Sequence, residues 1–340
     1  VYNSFLVDEN KIVKRGVRQL NILVTGGAGY VGSQLIRDLG EHPELAGSRI
    51  IIFDNMQDER YQSLMNLPPS GIYDFVYGDV QNLDDLVDAV QGCDVVIHLA
   101  ALTNAVVSFE RIPETERTNF QGTKNVVEAV KRSSTVRRVI YASTCSVYGE
   151  TTGIVNEESE CHPESPYGVY KLMGEQEVLA LPSQTNGRIS GTALRLATVF
   201  GLSPGLRVHT VVNKFAIYGA LGMPITVHGT GEQKRPFIHV KDASSAFIFA
   251  LLNPATENGV FNVVGENASV NQVLSYVRPR FPRLKVERKE GRHLNQISYE
   301  VDGSKFRALG WKPTISVEDG VEEFAKLCSG INSGIYAMVK

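Results

Sequence analysis

The stretch Thr25-Gly-Gly-Ala-Gly-Tyr-Val-Gly32, TGGAGYVG, decides the reading of this chain. It follows a β-branched run, NILVT (21–25), and opens a helical pattern, so its glycines fall on a strand-to-helix turn. Their spacing is Gly26-x-x-Gly29-x-x-Gly32. Gly26 suits a tight turn, Gly29 lets backbone approach a pyrophosphate, and Gly32 lets helix pack closely on strand. The helix start, with Tyr30 and Val31, then presents free N–H groups and a positive dipole end to an anion.

Working outward, short β-branched runs alternate with helical segments, as in a parallel sheet covered on both faces. The strand candidates are NILVT (21–25), RIIIFD (49–54), DFVYG (74–78), DVVIHLA (94–100), RRVIYAS (137–143) and GTALRLA (191–197). Most are continuous apolar runs, as strands buried on both faces require. Helical patterns lie between them, clearest in LDDLVDAVQG and TKNVVEAVKRS, with Gly92 read as a C-cap. Beyond about residue 200 glycine and proline break the rhythm, and two later runs, RPFIHV and GVFNVVG, read as strands that return to the main sheet. The predicted fold class is α/β: a doubly wound parallel-sheet Rossmann domain with a smaller mixed α/β C-terminal substrate lobe. The expected divisions are an N-terminal extension (1–20), a Rossmann domain (21–198, with 236–265 returning to it), a substrate lobe (199–235 and 266–328) and a tail (329–340).

The second strand ends in Asp54, placed where a carboxylate takes both hydroxyls of an adenosine ribose and repels a 2′-phosphate. That predicts NAD rather than NADP, although Asp is also a common turn residue. Asn55 beside it, Asp79 and Val80 after the third strand, and Leu99, Ala100 and Ala101 after the fourth complete a candidate dinucleotide surface.

The 340 residues carry a net charge of −3, with no basic footprint for nucleic acid. No apolar run approaches the roughly 18 residues of a membrane span. Four cysteines without a CxxC pair predict no metal site and suit a reducing, cytoplasmic setting. The first twenty residues lack the apolar core of a signal peptide.

In SPYGVYK (165–171), Tyr167 and Lys171 stand four apart on a predicted helix and share one face. A free tyrosine titrates near pH 10 and is a weak base at neutrality; a nearby ammonium favours its phenolate. Tyr167 can then exchange a proton with a substrate hydroxyl. Taken alone, such a pair is commonplace on helix surfaces.

Together these pieces carry a resemblance. TGGAGYVG, Asp54, GDV (78–80), HLAA (98–101), Ser108 with Pro113, NFQGT (119–123), STCSVYG, SPYGVYK, LRLATVFG (194–201) and GTGEQKRPFIHVKDAS (229–244) follow one another in order. The chain resembles the extended short-chain dehydrogenases/reductases, and within them the NAD-dependent nucleotide-sugar epimerase/dehydratase group, over roughly residues 21 to 325. The resemblance implies that Thr144 hydrogen-bonds the hydroxyl being oxidised, that Tyr167 is the general base, and that Lys171 binds the nicotinamide ribose and lowers the tyrosine pKa. It implies a mainly structural place for Asn119 beside the cofactor, and Thr103, Arg235 and Arg292 on the substrate, the arginines toward its diphosphate. It further implies a homodimer through helices around 106–132 and 165–181, where Val126, Val127 and Val130 either form the interface or face the sheet.

In relatives that dehydrate hexoses, Asp and Glu follow the threonine; here Cys145 and Ser146 stand there. The expected reaction is therefore 4-epimerisation of a nucleotide sugar, with UDP the commonest carrier, through a transient 4-keto sugar. The alternatives are a ketoreductase, dehydrogenase or dehydratase of the same superfamily and, from another class, a non-catalytic NAD-binding sensor. A thiol hydrolase would need a histidine oriented on Cys145, and nothing places His98 or His162 there. Phe200, Leu202 and Pro236 depart from the group's usual residues, so no particular sugar follows.

Overall fold

The computed structural model of the protein describes residues 18–282, 284–290 and 298–330. Seven parallel strands form the main sheet: β1 (Asn21–Thr25), β2 (Arg49–Asp54), β3 (Ile72–Tyr77), β4 (Val95–His98), β5 (Arg138–Thr144), β6 (Ser190–Leu196) and β7 (Val260–Val263). Their order is β3-β2-β1-β4-β5-β6-β7, so the chain winds outward from β1 in one direction, then from β4 in the other. The reversal lies between β1 and β4, and in such sheets ligands bind beyond the carboxyl ends of the strands at this switch point.

Strict alternation hides inside the apolar runs. Ile22, Val24, Ile50, Ile52, Ile97 and Ile140 enter one core, with Leu35, Ile36 and Leu39 of α1 (Tyr30–Glu41). Leu23, Ile51, Phe53, Val96, Val139 and Tyr141 enter the other. That second core is closed by α2 (Leu83–Ala89), α3 (Gly122–Arg132) and α4 (Pro166–Leu179). Both faces are thus dry, which is why these strands lack the polar–apolar alternation of a half-exposed sheet.

The C-terminal part departs from the expectation in one respect. Val260–Val263 does join the main sheet, beside β6. The run Lys234–His239 does not: it pairs in parallel with Thr198–Phe200 and antiparallel with Glu266–Ser269, forming a separate three-stranded sheet. Between them α6 (Val240–Leu252) packs back into the core of α1, while α5 (Val211–Leu221), α7 (Val270–Arg280) and α8 (Val317–Leu327) build a third core around Phe200, Phe215 and Phe237. An apolar run reports burial but not which strand it pairs with. Gly92 is not the cap of α2 either: the helix ends at Ala89 with Val90 as its cap, and Gly92 takes the left-handed φ of +72° in the turn that follows. Val126, Val127 and Val130 lie in the sheet core, so the sheet claims them rather than a dimer interface.

Candidate active site

The glycine turn sits at the switch point. Gly26 has a φ of +71°, and a Cβ there would stand 2.6 Å from the Ala100 backbone nitrogen. A Cβ on Gly32 would meet the Gly26 carbonyl oxygen at 2.3 Å, so these two positions exclude any side chain. Gly29 caps α1 without a side-chain hydrogen bond, and the first turn carries no acid. The N–H groups of Tyr30, Val31 and Gly32 are thus left for an anion. This cradle fits a pyrophosphate.

Asp54 closes its far side. Its carboxylate accepts the Ala28 N–H at 3.0 Å and the Met56 N–H at 2.9 Å, tying the glycine turn to the end of β2. Burial raises its pKa and these backbone donors draw it back down. Asn55 donates to Asp79 at 3.0 Å, linking the ends of β2 and β3. Val80 is buried in the core, so it can offer a ligand only its backbone, and its carbonyl accepts from Asn125 at 2.9 Å. Ala100 and Ala101 are half-buried beside the turn, with Leu99 packed against the core. Asn119 clamps the next loop from both ends of its amide: it accepts from the Leu102 N–H at 2.8 Å and donates to the Leu102 carbonyl at 2.9 Å. It lies in a π-helical turn, Arg117–Gln121, that leads into α3. Such single-turn bulges are frequent at functional sites.

The first turn of α4 is fixed before the side chains are considered. Ser165 accepts the Gly168 N–H at 3.1 Å, Pro166 starts the helix, and the Tyr167 N–H donates to Ser108 Oγ at 3.2 Å. Tyr167 and Thr144 are thereby brought near enough for the threonine hydroxyl to act on the tyrosine phenol. Thr144 Oγ1 already accepts the Ser146 N–H at 3.1 Å, which leaves its proton to donate toward the Tyr167 oxygen. Burial pushes the Tyr167 phenol up; Thr144 and the Arg207 guanidinium pull it down.

Lys171 is 2% exposed, with its Nζ 4.0 Å from the centre of the Tyr141 ring. Burial lowers its pKa to about 7, opposed by Glu175 one helical turn on. In this arrangement the groups that lower the Tyr167 pKa are Thr144 and Arg207, while the Lys171 amine lies over Tyr141. The close approach of α4 to β5 depends on Gly174, where a Cβ would stand 2.6 Å from the Tyr141 hydroxyl.

Three groups escaped the sequence reading. Arg207 donates to the Thr103 carbonyl at 2.9 Å and acts electrostatically on both Tyr167 and Tyr30. Nothing in GLSPGLR distinguished it from a solvated arginine. Its segment is laced onto the start of α1: the Tyr30 hydroxyl donates to the Gly201 carbonyl at 2.6 Å, and the Gly205 N–H donates to Ser33 Oγ at 2.9 Å. The other two are Glu175 and Arg195, a buried ion pair joining α4 to β6 through bonds of 2.7 and 3.1 Å. Their signal was available, because Glu175 continues the Tyr167, Lys171 spacing and Arg195 interrupts an otherwise uncharged strand.

Arg235 stacks its guanidinium 4.8 Å from the Tyr299 ring centre, and Tyr299 is one of the groups that raise the Tyr167 pKa. Arg292 lies outside the described residues. Cys145 is fully buried, its Sγ donates to the Arg195 carbonyl at 3.2 Å, and burial raises its pKa strongly, so it is no nucleophile. His98 sits between Thr25 (2.6 Å) and Thr123 (3.0 Å), and burial lowers its pKa to about 3. His162 is at the surface beside Glu160. No group of three or more metal-ligating side chains occurs among the described residues.

Residues 22–264 match the model of the NAD dependent epimerase/dehydratase family. A UDP-glucose epimerase of Bacillus subtilis, itself uncharacterised, is 30% identical over 320 residues, covering 91% of this chain and 98% of that one. A trifunctional UDP-glucose 4,6-dehydratase/3,5-epimerase/4-keto-L-rhamnose-reductase of Arabidopsis thaliana is 30% identical over 323 residues; 89% of this chain spans 46%, about half, of its length. The crystal structure of a UDP-glucuronic acid 4-epimerase from Bacillus cereus, in complex with UDP-glucuronic acid and NAD, is 27% identical with a TM-score of 0.82, covering 92% of this chain and all of that one.

Proposed function

The chain belongs to the NAD-dependent epimerase/dehydratase family, and from that premise we propose that it is a 4-epimerase of a UDP-linked hexose. The observation that carries the reading is the hydroxyl pair of Thr144 and Tyr167, followed by Cys145 and Ser146 where a dehydratase would place acids. Glu175 is held by Arg195 and Ser143, so it is not a spare proton carrier. The relatives support a UDP-sugar substrate by what their names say they act on.

In this reading Gly26, Gly29, Gly32 and the N–H groups of Tyr30 and Val31 hold the pyrophosphate of NAD. Asp54 takes the adenosine ribose, with Asn55, Asp79, Val80, Leu99, Ala100, Ala101 and Asn119 around it. NAD supplies reversible hydride acceptance at C4, so that the sugar passes through a 4-keto form. Tyr167 removes the C4 hydroxyl proton and later returns it. Thr144, with its single proton, stabilises the Tyr167 phenolate before the sugar binds and donates to the C4 oxygen once it is in place. Lys171 would bind the nicotinamide ribose hydroxyls when NAD is present. Arg207 adds positive charge beside the phenolate, and Arg235 and Thr103 face the substrate, with Arg292 assigned to the substrate diphosphate by the family resemblance alone. The proposal extends to a cytoplasmic homodimer: none of the four cysteines is in a disulfide, and Phe109, Ile112 and Val169 expose apolar surface near the start of α4.

The test is to incubate the protein with UDP-glucose, UDP-glucuronic acid, UDP-N-acetylglucosamine and dTDP-glucose in the presence of NAD, and to read products by NMR. The expected product is the C4 epimer with no net change at 340 nm. A 4-keto-6-deoxy product would establish a dehydratase instead, which the Arabidopsis relative keeps as the second reading. Stoichiometric NADH would establish a dehydrogenase.

A further inference from the structure

The opposite edge of the sheet carries a feature that the proposed reaction does not use. Where β4, β5 and β6 begin, Val95, Arg138 and Ser190 stand side by side. A cavity of about 330 Å³ opens there, beneath the end of α6. Arg18, Arg137, Arg138 and Arg188 line it against a single acid, Glu257, and Leu20 and Leu251 form an apolar floor. A local excess of positive charge of this size is unexpected in a chain whose net charge is −3.

The arginines are only partly spent on the fold. Arg138, 6% exposed, is the most engaged: it donates to Thr256 at 2.7 Å, to Thr192 at 3.4 Å and to the Leu251 carbonyl at 3.5 Å and lies 3.5 Å from Glu257, and only its buried Nε has no hydrogen-bond partner among the described residues. Arg137 donates to the Ser134 and Val136 carbonyls, and Arg188 to those of Ser133 and Lys131. Each guanidinium carries five N–H donors, so Arg137 and Arg188 keep donors over. Planar forks of this kind match the oxygens of a phosphate.

We propose that this cavity is a binding site for a small organic phosphate, separate from the dinucleotide crevice at the other end of the strands. The cavity exceeds what a bare phosphate fills, and the Leu20 and Leu251 floor provides a surface for the organic part. Concavity and small size distinguish it from the open basic faces that bind nucleic acid.

The experiment is calorimetric titration of AMP into protein saturated with NAD and UDP, so that the crevice is filled. One saturable site per chain is expected, with no binding of adenosine. Arg18→Gln combined with Arg137→Gln should weaken AMP at least tenfold, and Glu257→Gln should tighten it several-fold by removing the only lining acid. NAD affinity should stay within twofold in all variants, and all three residues lie at the surface, so unchanged melting temperatures verify folding. Absence of saturable binding up to millimolar AMP, equal binding of adenosine, or an affinity indifferent to both the arginine and the glutamate variants overturns the proposal.

Discussion

Lys171 buries an amine in an almost dry site, and that has a measurable consequence for stability. Its pKa falls from 10.5 to about 7 because burial penalises the charged form. The sign follows from linkage: the unfolded chain keeps the proton up to about pH 10.5, whereas the folded chain releases it above about 7. The full cost of burying an ammonium is therefore present below about pH 7 and is relieved as pH rises. Between pH 7 and pH 8.5 one proton's difference amounts to about 1.6 kcal/mol in favour of folding. Lys171→Met removes this term without orphaning Glu175, which stays paired with Arg195. Urea denaturation of both proteins, free of ligand, should give curves that run parallel below pH 6. Above pH 7 the wild type should gain about 1.6 kcal/mol on the variant by pH 8.5. Parallel curves across the whole range would show that the amine is not held in this dry position, and the reasoning from burial would fail.

Tyr167→Phe should lower kcat by about a thousandfold, in the range of a lost general base, while NAD affinity measured by fluorescence titration changes little; near wild-type turnover would remove Tyr167 from the base role. Asp54→Ser should relax cofactor choice, raising NADP affinity relative to NAD by tenfold or more in competitive titration, because the carboxylate that repels a 2′-phosphate is gone. Cys145→Ala should keep activity within about threefold, with a stability loss near 1 kcal/mol for a small buried deletion; inactivation would return the thiol to consideration.

The parts legible in the sequence were those governed by local rules. Strands β1 and β2 were read to the residue because a run buried on both faces is continuous and ends where glycine or aspartate begins. The glycine turn was legible because Gly26 and Gly32 meet backbone atoms, a demand no other residue satisfies. What stayed hidden was pairing at a distance. Lys234–His239 carries the same pattern whichever sheet receives it. The Lys171 amine rests on Tyr141, thirty residues away, and a spacing rule applied to one helix could only point it at Tyr167. Arg207 has no pattern at all; its place depends on Tyr30, Ser33 and Asn213 gathering the Gly201–Arg207 segment over the helix start.

The buried pair of Arg195 and Glu175 explains how Tyr167 and Thr144 are held beside each other. A charge pair this deep gains little over apolar packing, since desolvation consumes most of its attraction. Its geometry, however, is exacting: Glu175 also accepts from Ser143 at 2.5 Å, while Arg195 donates to the Tyr148 hydroxyl at 2.9 Å, and Tyr148 donates to Asn262 at 2.8 Å. Sliding α4 along the sheet by even one residue would strand several of these groups without partners, at a cost of some 1 to 3 kcal/mol each. An apolar contact would tolerate that slide. The network therefore holds the helix bearing Tyr167 in one register against the strand that ends in Thr144, with Ser143 the neighbour of Thr144 and Glu175 two turns from Tyr167. Proton transfer between hydroxyls needs positioning within hydrogen-bond reach, and a polar lock set beneath the site, where water cannot compete for its partners, supplies it.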